Sequence, residues 1–247
     1  MLLLLCCLGA LPAAASSGDF DPVELVNPLM GSQSVHQFSA GNTYPAVATP
    51  WGMNFWTPQT GKMGDGWAYT YTDTRIRGFK QTHQPSPWIN DYGQFSLMPV
   101  RGNDKLDEES RASWYSHQAE VAKPYYYRVY LADHDIRAEI APTERAAMMR
   151  FTFPESDESG VVIDAFDRGS QIGMLDARTI VGYTTRNSGG VPDNFRNYFV
   201  VRFDTPFTAV ELTDAPGEYE PGSNLLYPDG SKSVTGGHAV AKVQFPT

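Results

Sequence analysis

Apolar and polar positions follow one another in short stretches through the second half of the chain, several of them with a period of two. "YYYRVYLA" (125–132) stops at "DHD", "IRAEIA" (136–141) stops at Pro142, and "RAAMMRFTFP" (145–154) follows. "GVVIDAFD" (160–167) and "NYFVVRFD" (197–204) continue the series, the last with Phe199, Val201 and Phe203 on alternate positions. Runs rich in aromatic and β-branched residues, cut at this spacing by turn residues, predict antiparallel strands. "HAVAKVQF" (238–245) reads as one more. No window carries a sustained i, i+3, i+4, i+7 apolar stripe, so helices should be few and short. The pattern as a whole predicts an all-β fold, a large antiparallel β-sandwich. "GNDKLDEES" (102–110) reads as a charged surface loop and "YPDGSKS" (227–233) as a turn built on Asp-Gly. There is no repeat, heptad or low-complexity tract.

Composition narrows the functional classes. In 247 residues, 19 Lys and Arg face 28 Asp and Glu, a net charge of -9, which leaves no basic surface to neutralise phosphates or an anionic bilayer. Nucleic acid is thereby excluded as an expected partner. Aromatics at 13%, with 22 Gly and 18 Pro against 19% charged residues, suit a loop-rich exported β domain. The N-terminus, "MLLLLCCLGALPAAASS", runs from apolar to small residues as a signal peptide does, so residues 1–17 are set apart and 18–247 taken as one domain. The apolar run is too short for a transmembrane span. Cys6 and Cys7 both fall inside this leader, where they are apolar residues or a lipidation site, and the mature domain then has no disulfide or thiolate zinc site.

Simple catalytic signatures are missing: no G-x-S-x-G, no H-E-x-x-H, no calcium-loop pattern and no phosphate-cradling glycine loop. The unusual region is 27–99, which holds Trp51, Trp56, Trp67 and Trp88 together with His36 and His83. Its centre is "GFKQTHQPSPWINDYG" (78–93). Pro85 and Pro87 each fix their own φ and push Gln84 and Ser86 towards extended backbone, so the peptide is stiff. A stiff segment holds an imidazole, an amide, an indole and a carboxylate with little entropy left to lose on binding. An indole face suits the C–H side of a pyranose while the polar groups pair with its hydroxyls, so these residue types predict a sugar ligand. Each has a plainer alternative. Trp88 caps the sandwich core or stacks on sugar, His83 is a satisfied half-buried histidine or a ligand contact, and Asp91 makes an Asx turn or accepts from a hydroxyl. Trp51 and Trp56 are expected in the core, and His117, His134 and His238 at the surface.

Four ordered motifs carry a resemblance: "VNPLMGS" (26–32), "GNTYPAVATPWGM" (41–53), "WAYTYTDTRIRGFKQTHQPSPWINDYGQFSLMPV" (67–100) and "EVAKPYYYRVYL" (120–131). Together they resemble the N-terminal domain of glycoside hydrolase family 92, the calcium-dependent exo-α-mannosidases, over nearly the whole mature chain. The resemblance implies a β-sandwich paired with a C-terminal (α/α)6 barrel, which would hold the general acid, the water-activating carboxylates and most of the calcium ligands. That barrel has no counterpart in this sequence, so this chain is expected to be inactive alone and to have no catalytic or metal residues of its own. Its partners would be a mannose-containing glycan and the missing barrel, in the periplasm, on the cell surface or secreted. By the same resemblance Trp67, His83, Gln84, Trp88 and Asp91 would form part of the pocket wall that binds substrate. Many members read "THLSG" where this chain has "THQPSPW", so of the pair Thr82-His83 only His83 carries over, and the resemblance leaves open whether the linkage is α-1,2, α-1,3, α-1,4 or another.

Two other readings are compatible with the residues. One is a free-standing carbohydrate-binding β-sandwich module. The other is a self-contained glycosidase that pairs Asp91 with Asp164 or Asp167.

Overall fold

The computed structural model describes residues 21–33, 43–50, 52–63, 68–83, 92, 94–214, 224–226 and 232–246. Its centre is a six-stranded antiparallel sheet of β1 (Phe55–Gln59), β3 (Gly78–Thr82), β4 (Ser96–Arg101), β10 (Ser159–Asp164), β17 (Ala239–Gln244) and β14 (Ala209–Asp214), in that order. A four-stranded meander of β6 (Val121–Lys123), β7 (Tyr126–Leu131), β8 (Ile136–Pro142) and β9 (Ala147–Thr152) forms a second sheet. The third runs β13 (Asn197–Arg202), β12 (Thr179–Thr184), β11 (Ser170–Asp176), β16 (Lys232–Gly236), β15 (Asn224–Leu226). A short pair, β2 (Arg75–Ile76) and β5 (Ser113–Trp114), completes the set. Among the described residues the one α-helix is α1 (Glu108–Arg111), capped by Asp107, whose carboxylate accepts from the N–H groups of Glu109 and Ser110. The expected all-β architecture with few, short helices is what the chain adopts. No helix among the described residues is long and apolar enough to cross a membrane.

Burial explains why some strands alternate and others do not. In β7 and β9 every second residue is in contact with solvent, because only one side of the four-stranded sheet is covered. In β4, β10 and β17 nearly every residue is buried, since both faces of the central sheet are covered. That is why "SGVVID" lacks alternation.

Residues directly opposite across antiparallel strands share a face. On one face of the central sheet the register brings together Pro58 and Phe79, then Phe79, Leu97, Ile163, Ala241 and Leu212, an apolar layer. Phe79 reaches Tyr127 and Phe151 of the four-stranded sheet, with ring centroids at 6.2 and 6.3 Å. Phe95 stacks on Phe199 of the five-stranded sheet at 4.3 Å. Both outer sheets therefore share one core with the central one.

The opposite face, which also carries Val162 and Met98, holds an equally buried polar row. Thr57, Lys80, Ser96 and Asp164 form a row across four strands, each at most 3% exposed. The row is closed by Arg111, whose guanidinium lies 2.7 Å from Asp164, and by His238, whose Nε2 is 2.7 Å from the other Asp164 oxygen. Arg111 also donates to the carbonyls of Arg77 and Leu106. Burial by itself would push the Asp164 carboxyl up, but Arg111 and His238 outweigh it and hold the group well below the usual carboxylate range. Burial likewise pushes His238 down, and Asp164 reverses this so that the imidazole is raised above its ordinary value. Phe166, in a left-handed conformation with φ 58°, is fully buried with Lys80 Nζ 5.3 Å from its ring centroid.

Two surface expectations are corrected here. The charged stretch 102–110 is not wholly a solvated loop, because it leads into α1 and the completely buried Arg111. His134 and His238 are buried as well. His134 accepts the N–H of Arg101 on Nδ1 and sits 2.8 Å from the Arg111 carbonyl, and desolvation lowers its pKa.

Candidate functional site

The segment singled out in the sequence is the connection between β3 and β4, two neighbours of the central sheet. It leaves the sheet at Thr82, whose hydroxyl is hydrogen-bonded to the Tyr44 phenol. His83 follows directly and is half-buried, an imidazole at the rim rather than in the core. The chain returns at Phe95, whose carbonyl accepts the N–H of Gln81. Of the other residues expected in the pocket wall, Trp67, Gln84, Trp88 and Asp91 lie outside the described residues, as does Trp51. Trp56 is in the core, as expected: its Nε1 donates to Asn54 at 2.5 Å and its ring meets Phe95 edge-on at 5.6 Å.

Spacing in the sequence gave no hint of what stands beside this connection. Asn197 Nδ2 donates to Gln81 Oε1 at 3.3 Å, just before the connection begins. Phe195 meets Tyr92 edge-on at 6.4 Å, at its far end. Phe199 stacks on Phe95. Residues more than a hundred positions apart thus meet, and no local pattern could have announced it.

The stretch after Trp67 is fixed by a second buried group. Tyr69 and Tyr127 both donate their hydroxyls to the Glu120 carboxylate, at 3.2 and 2.5 Å. Burial first, and then the Glu120 charge, raises the pKa of both phenols far above the ordinary tyrosine value. They remain protonated donors, not nucleophiles. His117 places Nδ1 2.6 Å from Glu120 and Nε2 2.7 Å from the Tyr71 carbonyl, while its ring stacks on Tyr71 at 3.9 Å. Both ring nitrogens face oxygen atoms. Instead of lying free at the surface, His117 ties the 68–73 segment to the 3-10 turn that precedes β6.

Neither Asp164 nor Asp167 fits the role of a catalytic carboxylate. Asp164 is enclosed between Arg111 and His238, and Asp167 is ion-paired with Arg186. A cleft of about 330 Å³ lies between Thr60 and Arg77, but its cations are already engaged: Lys62 and Arg77 with Glu109, Arg75 with Asp133. Among the described residues there is no group of three or more His, Cys, Asp or Glu placed to hold a metal ion.

Residues 25–247 match the glycosyl hydrolase family 92 N-terminal domain. In three dimensions the chain is similar to a family GH92 inverting mannosidase of Bacteroides thetaiotaomicron, with TM-score 0.80 and 46% identity over 91% of this chain and 29% of that one. A family GH92 α-mannosidase of the same organism gives TM-score 0.71 and 27% identity, over 91% of this chain and 31% of that one. An uncharacterized secreted glycosidase of Arthroderma benhamiae is 27% identical over 150 residues, 58% of this chain and 19% of that protein. The chain therefore spans less than a third of the length of each of these relatives.

Proposed function

Because the chain belongs to glycosyl hydrolase family 92, as its N-terminal domain, we propose that it forms the substrate-facing wall of an exported inverting exo-α-mannosidase. The observation that carries this reading is the 46% identity over 91% of the chain to an inverting mannosidase. His83 would present an imidazole to a hydroxyl of a terminal α-mannoside, held by Thr82 and its Tyr44 partner. Gln84, Trp88 and Asp91, which follow His83 in the sequence, and Trp67 before it would complete the wall.

Inversion needs an acid on one side of the sugar and a base-activated water on the other, with the two carboxyl groups set wide apart. Asp164, buried between Arg111 and His238, and Asp167, ion-paired with Arg186, are both engaged, so the acid, the base and the calcium ligands are assigned to the remaining two-thirds of the enzyme. This domain contributes position. A wall that misplaces the sugar by a small distance slows the reaction by orders of magnitude without owning any acid or base. The leader at 1–17 and the secreted glycosidase among the relatives support export.

The test is mannose release from an α-mannoside with calcium present. The purified chain is expected to release none, and the polypeptide extended to the full length of its relatives to release it. In that longer protein His83→Ala should raise KM about tenfold, since a hydrogen bond to a buried polar ligand group is worth on the order of 1.4 kcal/mol. Mannose release by the chain alone would refute the division of labour.

A further inference from the structure

The two outer sheets turn different faces to solvent. On the four-stranded sheet the register sets Arg128, Glu139 and Arg150 side by side, and the exposed apolar side chains, Tyr130 and Met148, lie on either side of that charged row. On the five-stranded sheet Tyr198 pairs with Tyr183 and Val200 with Val181, while the alternate residues Phe199 and Val201 turn to the core. Tyr198 is 72% exposed, Val200 68% and Leu175, on β11, 55%. Arg196, with its guanidinium 5.0 Å from the Tyr183 ring centroid, and Arg202 flank this apolar strip.

The outward positions of β13 are as apolar as the inward ones, so its middle reads Tyr-Phe-Val-Val, the continuous run of a strand covered on both sides. β13 is also the margin of its sheet, and it contains no proline, lysine or bulge to keep another chain away. Exposed aromatic and aliphatic side chains flanked by arginine have the composition of a protein interface. Two observations say what covers them. The chain matches an N-terminal domain and makes up only 29% and 31% of two solved mannosidases it resembles, so most of such a polypeptide follows this domain. The last aromatic residue of the sequence, Phe245, meets Phe203 with ring centroids 5.1 Å apart, and Phe203 comes directly after β13. A polypeptide continuing past Thr247 therefore starts beside this strip.

We infer that the outer face of β12 and β13, centred on Tyr198 and Val200, is the docking surface for the part of the polypeptide that follows this domain in its longer relatives. This rests on the reading of the chain as one domain of a longer mannosidase, and it assigns the contact to particular side chains. The arginines at the two ends of the strip would meet acidic or carbonyl groups at the rim of the partner, while Tyr198, Val200 and Leu175 lose their water at its centre. The face of the four-stranded sheet, divided by its charged row, stays in solvent.

Hydroxyl-radical footprinting, resolved by residue with mass spectrometry, compares the 247-residue chain with the polypeptide extended to the full length of its relatives. Oxidation of Tyr198 should fall about tenfold or more in the longer protein, while Tyr130 and Met148 on the other sheet stay within about twofold. Val200→Glu should leave the melting temperature of the chain alone within about 3 °C of wild type, because the side chain is exposed there. In the longer protein the same variant should restore Tyr198 oxidation about fivefold or more. Tyr198 as reactive in the longer protein as in the chain overturns the inference, and so does protection that Val200→Glu leaves untouched. Tyr198 already protected in the chain alone, with light scattering giving twice its mass, makes a second copy the occupant and overturns it as well. If the longer protein releases mannose with Tyr198 unprotected, the docking face fails and the wall reading survives; mannose release by the chain alone refutes the reading beneath both.

Discussion

The two faces of the central sheet are buried to the same degree by opposite means. One is lined with Phe79, Leu97, Ile163 and Ala241 and packs on aromatic side chains of two other sheets. The other carries Thr57, Lys80, Ser96 and Asp164 and is sealed by Arg111 and His238. An apolar layer is favourable wherever it excludes water and tolerates approximate fit. A buried charge is tolerated only in one arrangement, because each group must find its partner or pay its full desolvation. The polar face therefore fixes which segment lies over the sheet: α1 and the turn before β17 have no freedom to slide. The Arg111–Asp164 pair is weak evidence of stability and better evidence of specified placement.

The largest effects should come from breaking either face. Arg111→Ala leaves Asp164 buried beside His238 alone and should lower unfolding free energy by about 3–5 kcal/mol. Phe79→Ala, which opens a cavity between two sheets, should do the same by about 3–5 kcal/mol. Urea unfolding of both variants measures the comparison, and the double replacement Arg111→Met with Asp164→Leu sharpens it. If the double variant regains most of the loss, the charges serve placement; if it is no better than Arg111→Ala, they carry stability in their own right.

Next in size is Gly182→Ala, expected to lower stability by about 1–3 kcal/mol through displacement of Phe199. Because Phe199 stacks on Phe95, the near-ultraviolet circular dichroism of the aromatic cluster should change with it.

A smaller effect is a pH dependence confined to the polar face. The raised pKa of His238 means that its contribution is fully present below the unfolded value of about 6.5 and is lost as pH rises through the folded one. Asp164, lowered, behaves in reverse: its contribution stands above about 3.8 and is lost as pH falls below it. His134, also lowered, adds stability as pH rises through the region below 6.5 and so opposes His238. The difference between wild type and His238→Gln isolates one of them. It should be largest at pH 5 to 6 and shrink by pH 9 in thermal unfolding scans; a difference that grows towards pH 9 would contradict the assigned direction.

Smallest of all should be Glu139→Gln on the solvent side of the four-stranded sheet. Glu139 is paired with Arg150 at 2.7 Å and accepts from Tyr126, and these hold its pKa down to about 2 despite partial desolvation. The Arg150 side chain is 72% exposed, so the loss should be slight and should fade as salt is added.

How much of this was legible in the sequence divides along the same line. Strands β7, β8 and β9 were announced as aromatic and β-branched runs cut by turn residues, and β13 also by alternation, because a half-exposed strand records its surroundings in every second residue. The fully buried β10 shows as an apolar run whose polar end, Asp164, looks like an ordinary solvated strand terminus. Nothing near Asp164 in sequence points to Arg111 or His238, so His238 was expected at the surface and 102–110 as a plain loop. The site divides similarly. His83 was singled out by the stiff, aromatic stretch around it, whereas Asn197 and Phe195 meet Gln81 and Tyr92 from another sheet, which leaves no local trace. The expectation of calcium and of catalytic carboxylates outside this chain rests on family resemblance alone.

The strand order carries a consequence for how the chain is made. The strand at 239–244 sits between β10 and β14, in the interior of the sheet and not at its margin. During synthesis β10 and β14 therefore wait, each with an unpaired edge and a half-covered face, until residues 239–244 have left the ribosome. Such long-range closure is slow by nature. The period before it is when the nascent domain is most exposed to mispairing, and when a holding chaperone at the exit tunnel or the export channel would matter most.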